Sequence, residues 1–80
     1  MTADDIKQSI VEKLECEFVT ILGEDGSHFE GTIVSELFEG LSRVKQHQMV
    51  FGTLGDKMKS EIHALSMQTY TPSEWKQLKN

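Results

Sequence analysis

Hydrophobic residues follow a helical period at the start of the chain. Ile6, Ile10 and Leu14 recur at four-residue spacing, which predicts a helix over residues 2–15 with one apolar face. Thr2 is a suitable N-cap, and an aspartate at the third helical position gives a weak form of the capping box. The first element is therefore predicted to be an amphipathic helix that packs on one side only.

Two segments rich in β-branched and aromatic residues come next. Residues 16–22 and residues 28–35 predict strands. The intervening residues 23–27 contain glycine, aspartate and serine, which are typical of turns. Because the loop is short, we predict that the two strands form an antiparallel hairpin.

The centre of the chain predicts two helices. Ser42 is a suitable N-cap for a helix over Arg43–Phe51, and apolar positions continue beyond it at three- and four-residue spacing. Gly52 and Gly55 interrupt this pattern, so we predict two helices with a tight junction near Gly52. The predicted apolar stripe consists of Val44, His47, Phe51, Leu54 and Met58.

The last part of the chain predicts a strand followed by a helix. Residues 61–69 are bounded by polar residues, and their length fits a strand better than a helix. Thr71, Pro72 and Glu74 then form a capping box with proline at the first helical position. We therefore predict a final helix over residues 72–79.

The order of these elements, α-β-β-α-α-β-α, predicts the sheet topology. A crossover of two helices between the second and third strands favours parallel pairing of those strands, with a right-handed connection. Together with the hairpin, this pairing gives a three-stranded mixed sheet. We predict one α+β domain over residues 1–80, with the helices packed on the sheet.

Composition and charge narrow the classes of function. The 80 residues carry a formal net charge of −5, which argues against a nucleic-acid footprint over the whole surface but leaves a local basic patch open. The single cysteine, Cys16, excludes an internal disulfide and the multi-cysteine patterns of self-contained metal sites. We find neither a membrane-spanning stretch nor a secretion signal, so we expect a cytoplasmic protein with no membrane contact.

Four side chains are candidates for metal or redox chemistry, and each has a structural alternative. His63 lies inside the third predicted strand, and His28 stands where the turn enters the second strand. Either could bind a metal, or could be an ordinary histidine at a sheet end or turn. His47 lies on the predicted apolar stripe and is expected to pack between helices. Cys16 has acidic neighbours that oppose thiolate formation, so we expect a small, partly buried hydrophobe.

Basic residues concentrate in the central helices. Arg43, Lys45 and His47 define a candidate face for a protein partner or for nucleic acid, and the alternative is an ordinary solvated surface. Lys57 and Lys59 extend this basic set. The sequence contains no phosphate-binding glycine loop and no convincing catalytic triad, so we do not expect an enzyme.

The sequence combines F-x-G-x-S at 38–42, H-A-L at 63–65 and T-P-x-E-W at 71–75, a combination that is specific although each piece alone would not be. With this combination the sequence resembles the BolA family, and four segments carry the resemblance. The GEDGSHF loop resembles the bacterial IbaG branch of this family, and the family fold is similar to a type II KH domain. The matching segments are SHF at 27–29, VSELFEGLSRV at 34–44, QHQMVFGTL at 46–54 and IHALSMQTYTPSEW at 62–75.

The resemblance implies a non-enzymatic partner protein. BolA-like proteins pair with monothiol glutaredoxins and share a bridging [2Fe–2S] cluster with them, in iron–sulfur trafficking or in responses to iron and stress. By this resemblance His63 is a cluster ligand and His28 is the candidate second ligand, while glutaredoxin and glutathione supply sulfur. The isolated chain is then expected to hold no cofactor, as a monomer or a homodimer.

Two alternatives remain open from the sequence. The first is a KH-like nucleic-acid-binding transcriptional regulator that contacts DNA or RNA through Arg43 and Lys45. Other members of the family carry Arg-His-Arg where this chain has Gln46-His47-Gln48, which removes two cations from that face. The second alternative is a purely structural interaction protein that binds glutaredoxin equally well with or without metal.

Overall fold

The computed structural model describes residues 2–23, 27–58 and 64–79, and it confirms the predicted α+β fold. Two 3-10 turns, Glu36–Phe38 and Gly55–Met58, accompany the helices and strands. The helices and strands are α1 (Ala3–Lys13), β1 (Phe18–Leu22), β2 (Phe29–Val34), α2 (Arg43–Leu54), β3 (Leu65–Tyr70) and α3 (Pro72–Lys79).

The three strands form one mixed sheet in the order β1-β2-β3. Strands β1 and β2 are antiparallel, with Phe18 opposite Val34. Strands β2 and β3 are parallel, with Phe29 opposite Leu65 and Val34 opposite Tyr70. Both the predicted hairpin and the predicted parallel crossover are therefore confirmed.

The hydrophobic core lies on the face of the sheet that α1 and α2 cover. Ile6 and Ile10 of α1 have no exposed surface, which confirms the apolar face predicted for this helix. They belong to the same buried cluster as Ile33 of the central strand and Val50 of α2. Burial of these side chains fixes α1 and α2 against the sheet.

The opposite face of the sheet is covered by α3 at one end. Phe18 and Tyr70 alternate with the residues that face the core, so their rings lie on this second face. Trp75 of α3 stacks on Phe18 with ring centroids 5.1 Å apart, and its centroid lies 5.6 Å from that of Tyr70. These aromatic contacts place α3 beside the last residue of β3.

Both predicted capping boxes are present. In α1, the Asp5 N–H donates to Thr2 Oγ1 over 3.1 Å, and the Thr2 N–H donates to Asp5 Oδ2 over 3.0 Å. In α3, the Thr71 N–H donates to Glu74 Oε1 over 2.8 Å, and the Glu74 N–H donates to Thr71 Oγ1 over 3.2 Å. Each box satisfies donors that have no partner within the helix.

Helix α2 is longer than predicted. Ser42 caps its start as expected, but the helix continues through Gly52 to Leu54, so the predicted junction near Gly52 is wrong. The chain leaves the helix at Gly55, where a φ of +57° favours glycine. A single 3-10 turn follows instead of a second α-helix. A lone glycine inside a helix costs too little to break it when the neighbouring turns pack on the core.

The buried face of α2 also differs from the predicted stripe. Leu54 is buried as predicted, but Val44 of the predicted stripe is 66% exposed, and Gln46 and Val50, which are outside the stripe, are buried. His47 is only partly buried. The helix is therefore rotated relative to the prediction, and a polar residue takes a position in the core.

The strand boundaries differ by one or two residues. Strand β1 begins at Phe18 and not at residue 16, because the preceding residues bond to the chain around Ser35 outside the regular ladder. Strand β2 is one residue shorter than predicted at each end. Strand β3 continues to Tyr70, while residues 61–63 of its predicted start lie outside the described residues. Among the helices that the structure describes, none is long and apolar enough to cross a membrane.

Candidate functional site

One end of the sheet contains His28, one of the two predicted metal ligands, and Ala64, the first described residue after the other. His63 itself lies outside the described residues. The described chain resumes at the buried Ala64, and β3 begins at Leu65. The surroundings of the first predicted ligand are therefore defined only from Ala64 onwards.

His28 is exposed and directly precedes β2. Phe29, the first residue of β2, is paired with Leu65, the first residue of β3. Because the two strands are parallel, both begin at the same edge, which we call the amino end of the sheet and define as His28, Phe29, Ala64 and Leu65. The predicted second ligand is thus at the end of the sheet where β3 starts.

The position of His28 depends on close packing at the preceding turn. The Phe29 ring lies against Gly23, and a Cβ atom added at Gly23 would be 2.3 Å from Phe29 Cδ1. Phe29 is only 1% exposed, so its ring is fixed in the core. The backbone next to His28 is therefore anchored, while residue His28 itself is exposed.

The described residues do not form a complete metal site. No group of three or more histidine, cysteine, aspartate or glutamate side chains within residues 2–23, 27–58 and 64–79 has the placement to hold a metal ion. At the amino end they provide one exposed imidazole, that of His28. An iron–sulfur cluster takes four protein or thiol ligands, so these residues fit a cluster only where other ligands complete the set.

Cys16 lies at the opposite end of the sheet. The neighbouring Glu17 N–H donates to Val34 O over 2.8 Å, at the last residue of β2. About five strand steps of 3.3 Å separate Val34 from Phe29, a distance of roughly 17 Å. The Cys16 thiol donates to Leu14 O over 3.3 Å, and burial raises its pKa. Cys16 and His28 therefore cannot bind the same metal ion in this fold.

The structure separates the three residues of the predicted partner or nucleic-acid face. Arg43 and His47, one helical turn apart, line the same shallow cavity beside β3. Lys45 does not line it; its side chain is exposed, and its N–H donates to Ser42 Oγ at the helix start. The basic face is thus an arginine and a histidine at a sheet edge, with the lysine on another side of α2.

Arg43 is anchored to the end of β3. Its Nη1 donates to the carbonyl oxygen of Thr69, and it also lies 3.3 Å from Thr69 Oγ1 and 3.5 Å from Gln46 Oε1. These contacts hold the guanidinium group against the outer edge of the sheet. The sequence indicated a basic side chain here but not that it would be fixed in place.

His47 is only partly buried and lines the cavity beside β3, whereas we expected it to pack between helices. Its Nε2 atom is buried and has no hydrogen-bond partner in the part of the chain that the structure describes. Burial lowers the pKa of His47, and the nearby charge of Arg43 lowers it further. His47 is therefore neutral at pH 7, and it adds shape to this surface rather than positive charge.

A buried polar network next to this surface was missed by the sequence analysis. The Gln46 amide donates to Phe38 O over 3.1 Å and to Leu41 O over 3.0 Å, and Gln46 Oε1 accepts from Thr69 Oγ1 over 2.6 Å. Gln46 is 5% exposed and Thr69 is fully buried. In the sequence, only the spacing of Gln46, Val50 and Leu54 at four residues indicates that Gln46 is buried. This pattern is weak because one of its members is polar.

The comparisons with known proteins agree with this fold and with the segments noted above. A family model described as "BolA-like protein" matches residues 7–74. The "Acid stress protein IbaG" of Escherichia coli is 42% identical over 76 residues, covering 94% of this chain and 89% of the relative. The "DNA-binding transcriptional regulator BolA" of Vibrio cholerae is 37% identical over 87 residues, covering 98% and 82%. The solved BolA domain of SufE1 from Arabidopsis thaliana is 34% identical, with a TM-score of 0.75 over 90% of this chain and 93% of that one.

Proposed function

Because this chain belongs to the BolA-like protein family, we propose that it is a non-enzymatic partner protein that shares a bridging [2Fe–2S] cluster with a monothiol glutaredoxin. In this proposal His63 is the first ligand from this chain and His28 is the second. A cysteine of the glutaredoxin and the thiol of glutathione supply the sulfur ligands. The protein acts in iron–sulfur trafficking or in a response to iron or stress.

The observation that carries the proposal is the parallel register of β2 and β3. His28 directly precedes β2, and His63 precedes Ala64 and β3 in the sequence. Because both strands begin at the same edge, His28 and Ala64, the residue that follows His63 in the sequence, are at the same end of the sheet. This arrangement supports two imidazole ligands from separate parts of the chain.

The ligand chemistry supports a second protein in the complex. The chain has a single cysteine, and Cys16 is at the far end of the sheet with its pKa raised by burial. Sulfur ligands at the amino end must therefore come from elsewhere. Neutral histidine ligands raise the reduction potential of a [2Fe–2S] cluster relative to thiolates, and their protonation in acid competes with iron. Both effects suit a cluster that is transferred or sensed.

The test is anaerobic reconstitution of the cluster with this protein, a monothiol glutaredoxin and glutathione. Size-exclusion chromatography measures the mixed species, and visible circular dichroism reports on the ligands. The variants are His63→Ala and His28→Ala, with His47→Gln as the matched control because His47 lies on α2, away from the amino end. We expect His63→Ala to abolish or reshape the dichroism, His28→Ala to alter it, and His47→Gln to leave it unchanged.

Two results would contradict the proposal. If the wild-type protein forms no mixed cluster species with the glutaredoxin, the partner function fails. If the species forms but its spectrum is the same with and without His63, then the cluster is held in another way. A glutaredoxin complex that is equally tight with and without iron would instead favour a purely structural interaction protein.

A second candidate function is binding of nucleic acid. It is favoured by one observation, that the 37% identical relative from Vibrio cholerae is named as a DNA-binding transcriptional regulator. Against it, the net charge is −5, and Arg43 is the only cation of the predicted face that lines the cavity beside β3. Fluorescence anisotropy with labelled oligonucleotides at low salt tests it. Binding that weakens steeply with salt and is lost in Arg43→Gln and Lys45→Gln would support it.

A further inference from the structure

Strand β3 has an open outer edge. It pairs with β2 on one side, and no strand within residues 2–23, 27–58 and 64–79 pairs with it on the other. Tyr70 O accepts from Ser35 N–H over 3.1 Å, so the backbone of Tyr70 faces the central strand, whereas Thr69 O faces outward to Arg43. Because backbone groups alternate along a strand, Met67 also presents its N–H and C=O outward. Such an edge is a ready template for one further strand.

Two shallow cavities share Arg43 and Tyr70 as lining residues and have volumes of about 320 and 300 Å³. We call these two cavities together the β3 groove. Its remaining lining residues are His47, Met67 and Gln68 in the first cavity, and Glu74, Gln77 and Leu78 in the second.

Arg43 provides a fixed cation in this groove. Its Nη1 atom is committed to Thr69, whereas its Nε and Nη2 atoms make no hydrogen bond to any residue that the structure describes. Two adjacent N–H directions of a guanidinium group match the two oxygens of a carboxylate. Because the anchored side chain is already held in place, binding a carboxylate there costs less conformational entropy than it would at a free surface arginine.

We propose that the β3 groove binds an extended segment of a partner protein as an added strand, with an acidic side chain of that segment on Arg43. The segment forms backbone hydrogen bonds with the outward groups of Met67 and its neighbours, while its side chains enter the two cavities in alternation. Glu74 in the second cavity disfavours another acid there, and Leu78 favours an apolar residue. The inference does not depend on iron–sulfur ligation at the amino end of the sheet.

The charges on the groove favour a polypeptide over a nucleic acid. A nucleic-acid backbone brings a phosphate with every nucleotide and needs several cations along its path. Arg43 is the only cation among the lining residues described here, and the Glu74 carboxylate would repel a second phosphate. A peptide strand with one acid and neutral neighbours matches both features.

The first experiment is an NMR titration of the isotope-labelled protein with two pools of acetylated, amidated hexapeptides. In the first pool, every peptide contains an aspartate that is flanked by threonine and by positions that vary among valine, isoleucine, leucine and tyrosine. In the second pool, asparagine replaces the aspartate. We expect the amide signals of Met67 and Thr69 to shift, and the asparagine pool to bind about tenfold more weakly, as expected for loss of a charged hydrogen bond. Peptides methylated on alternate backbone nitrogens separate strand addition from simple ion pairing, because only one of the two methylation patterns should abolish binding.

Variants of α2 test the role assigned to Arg43. We expect Arg43→Gln to weaken binding of the aspartate pool by about tenfold. Arg43→Lys should retain only part of the wild-type affinity, because a lysine ammonium group cannot bind both carboxylate oxygens as a guanidinium group does. Lys45→Gln removes the same charge from the same helix outside the groove, and it should change nothing. Thermal unfolding of each variant confirms that the fold persists.

Three outcomes would overturn the proposal. The first is that neither pool shifts the Met67 and Thr69 signals at millimolar concentration. The second is equal affinity for the aspartate and asparagine pools, or equal loss in Lys45→Gln and Arg43→Gln. The third is that an oligothymidylate occupies the groove more tightly than the peptides, which would make it a nucleic-acid surface.

Discussion

Replacing His47 with methionine should stabilise the protein. The Nε2 atom of His47 is buried without a hydrogen-bond partner in the described part of the chain. A buried polar group without a partner costs about 1–3 kcal/mol, and methionine can fill the same space without a polar atom. Because the ring is only partly buried, we expect the lower end of that range, a gain of about 1 kcal/mol in the free energy of unfolding. For a domain of this size, that gain raises Tm by about 4–8 °C.

The stabilisation should increase in acid. The pKa of His47 is lowered from its ordinary value of 6.5 by burial and then by the charge of Arg43. Below pH 6.5 the unfolded chain therefore binds a proton that the folded chain does not, so acid favours unfolding of the wild type until the lowered pKa is passed. Methionine takes up no proton in either state. The difference in unfolding free energy between the variant and the wild type should thus widen as the pH falls through 6.5.

Urea unfolding at several pH values, followed by the fluorescence of Trp75, measures this difference. Trp75 is the single tryptophan and stacks on Phe18, so its emission reports on loss of the fold. Gln48→Met is the matched control, because it places methionine at an exposed position of the same helix and should change stability by no more than about 0.5 kcal/mol. A destabilised His47→Met variant, or a gain that stays constant with pH, would refute the reasoning.

Three further predictions follow from buried and capping groups. Gln46→Leu should lower the free energy of unfolding by about 2–3 kcal/mol, measured by urea unfolding, because it removes the donor to Leu41 O, one of the two donors to Phe38 O and the acceptor of the Thr69 hydroxyl. Thr71→Ala should cost about 1 kcal/mol by removing the oxygen that accepts the Glu74 N–H, and Thr71→Ser should recover most of it. Iodoacetamide should alkylate Cys16 more slowly at pH 8 than it alkylates a free cysteine peptide, because the raised pKa reduces the thiolate fraction; equal rates would contradict that assignment.

Local signals explain why so much of the fold could be predicted. The capping box at Thr71 and Glu74 involves residues three apart, so the sequence alone contains the whole interaction. The antiparallel hairpin follows from a short turn between two strand-like segments, and the parallel pairing follows from the long crossover. For the candidate site the sequence identified His28, and the parallel register then brought it to the edge where β3 begins. None of these predictions required knowledge of side chains that are distant in the sequence.

The rotation of α2 about its own axis could not be predicted, because it depends on hydrogen-bond partners that are distant in the sequence. Placing Gln46 inside requires the carbonyls of Phe38 and Leu41 and the hydroxyl of Thr69, which lie up to 23 residues away in the sequence. With those partners the helix turns by roughly 100°, about one residue step, from the stripe that hydrophobicity alone favours. Val44 is then exposed rather than buried.

The same rotation produces the groove at the edge of the sheet. Once Gln46 and Val50 face the core, Arg43 and His47 lie on the flank of α2 that borders β3, and Lys45, two residues from each, is roughly 160° away around the helix. The buried glutamine and the anchored arginine are thus two consequences of one helix orientation, joined through Thr69. A substitution that disturbs Gln46 should therefore also loosen Arg43, so stability and recognition at the β3 groove are physically coupled.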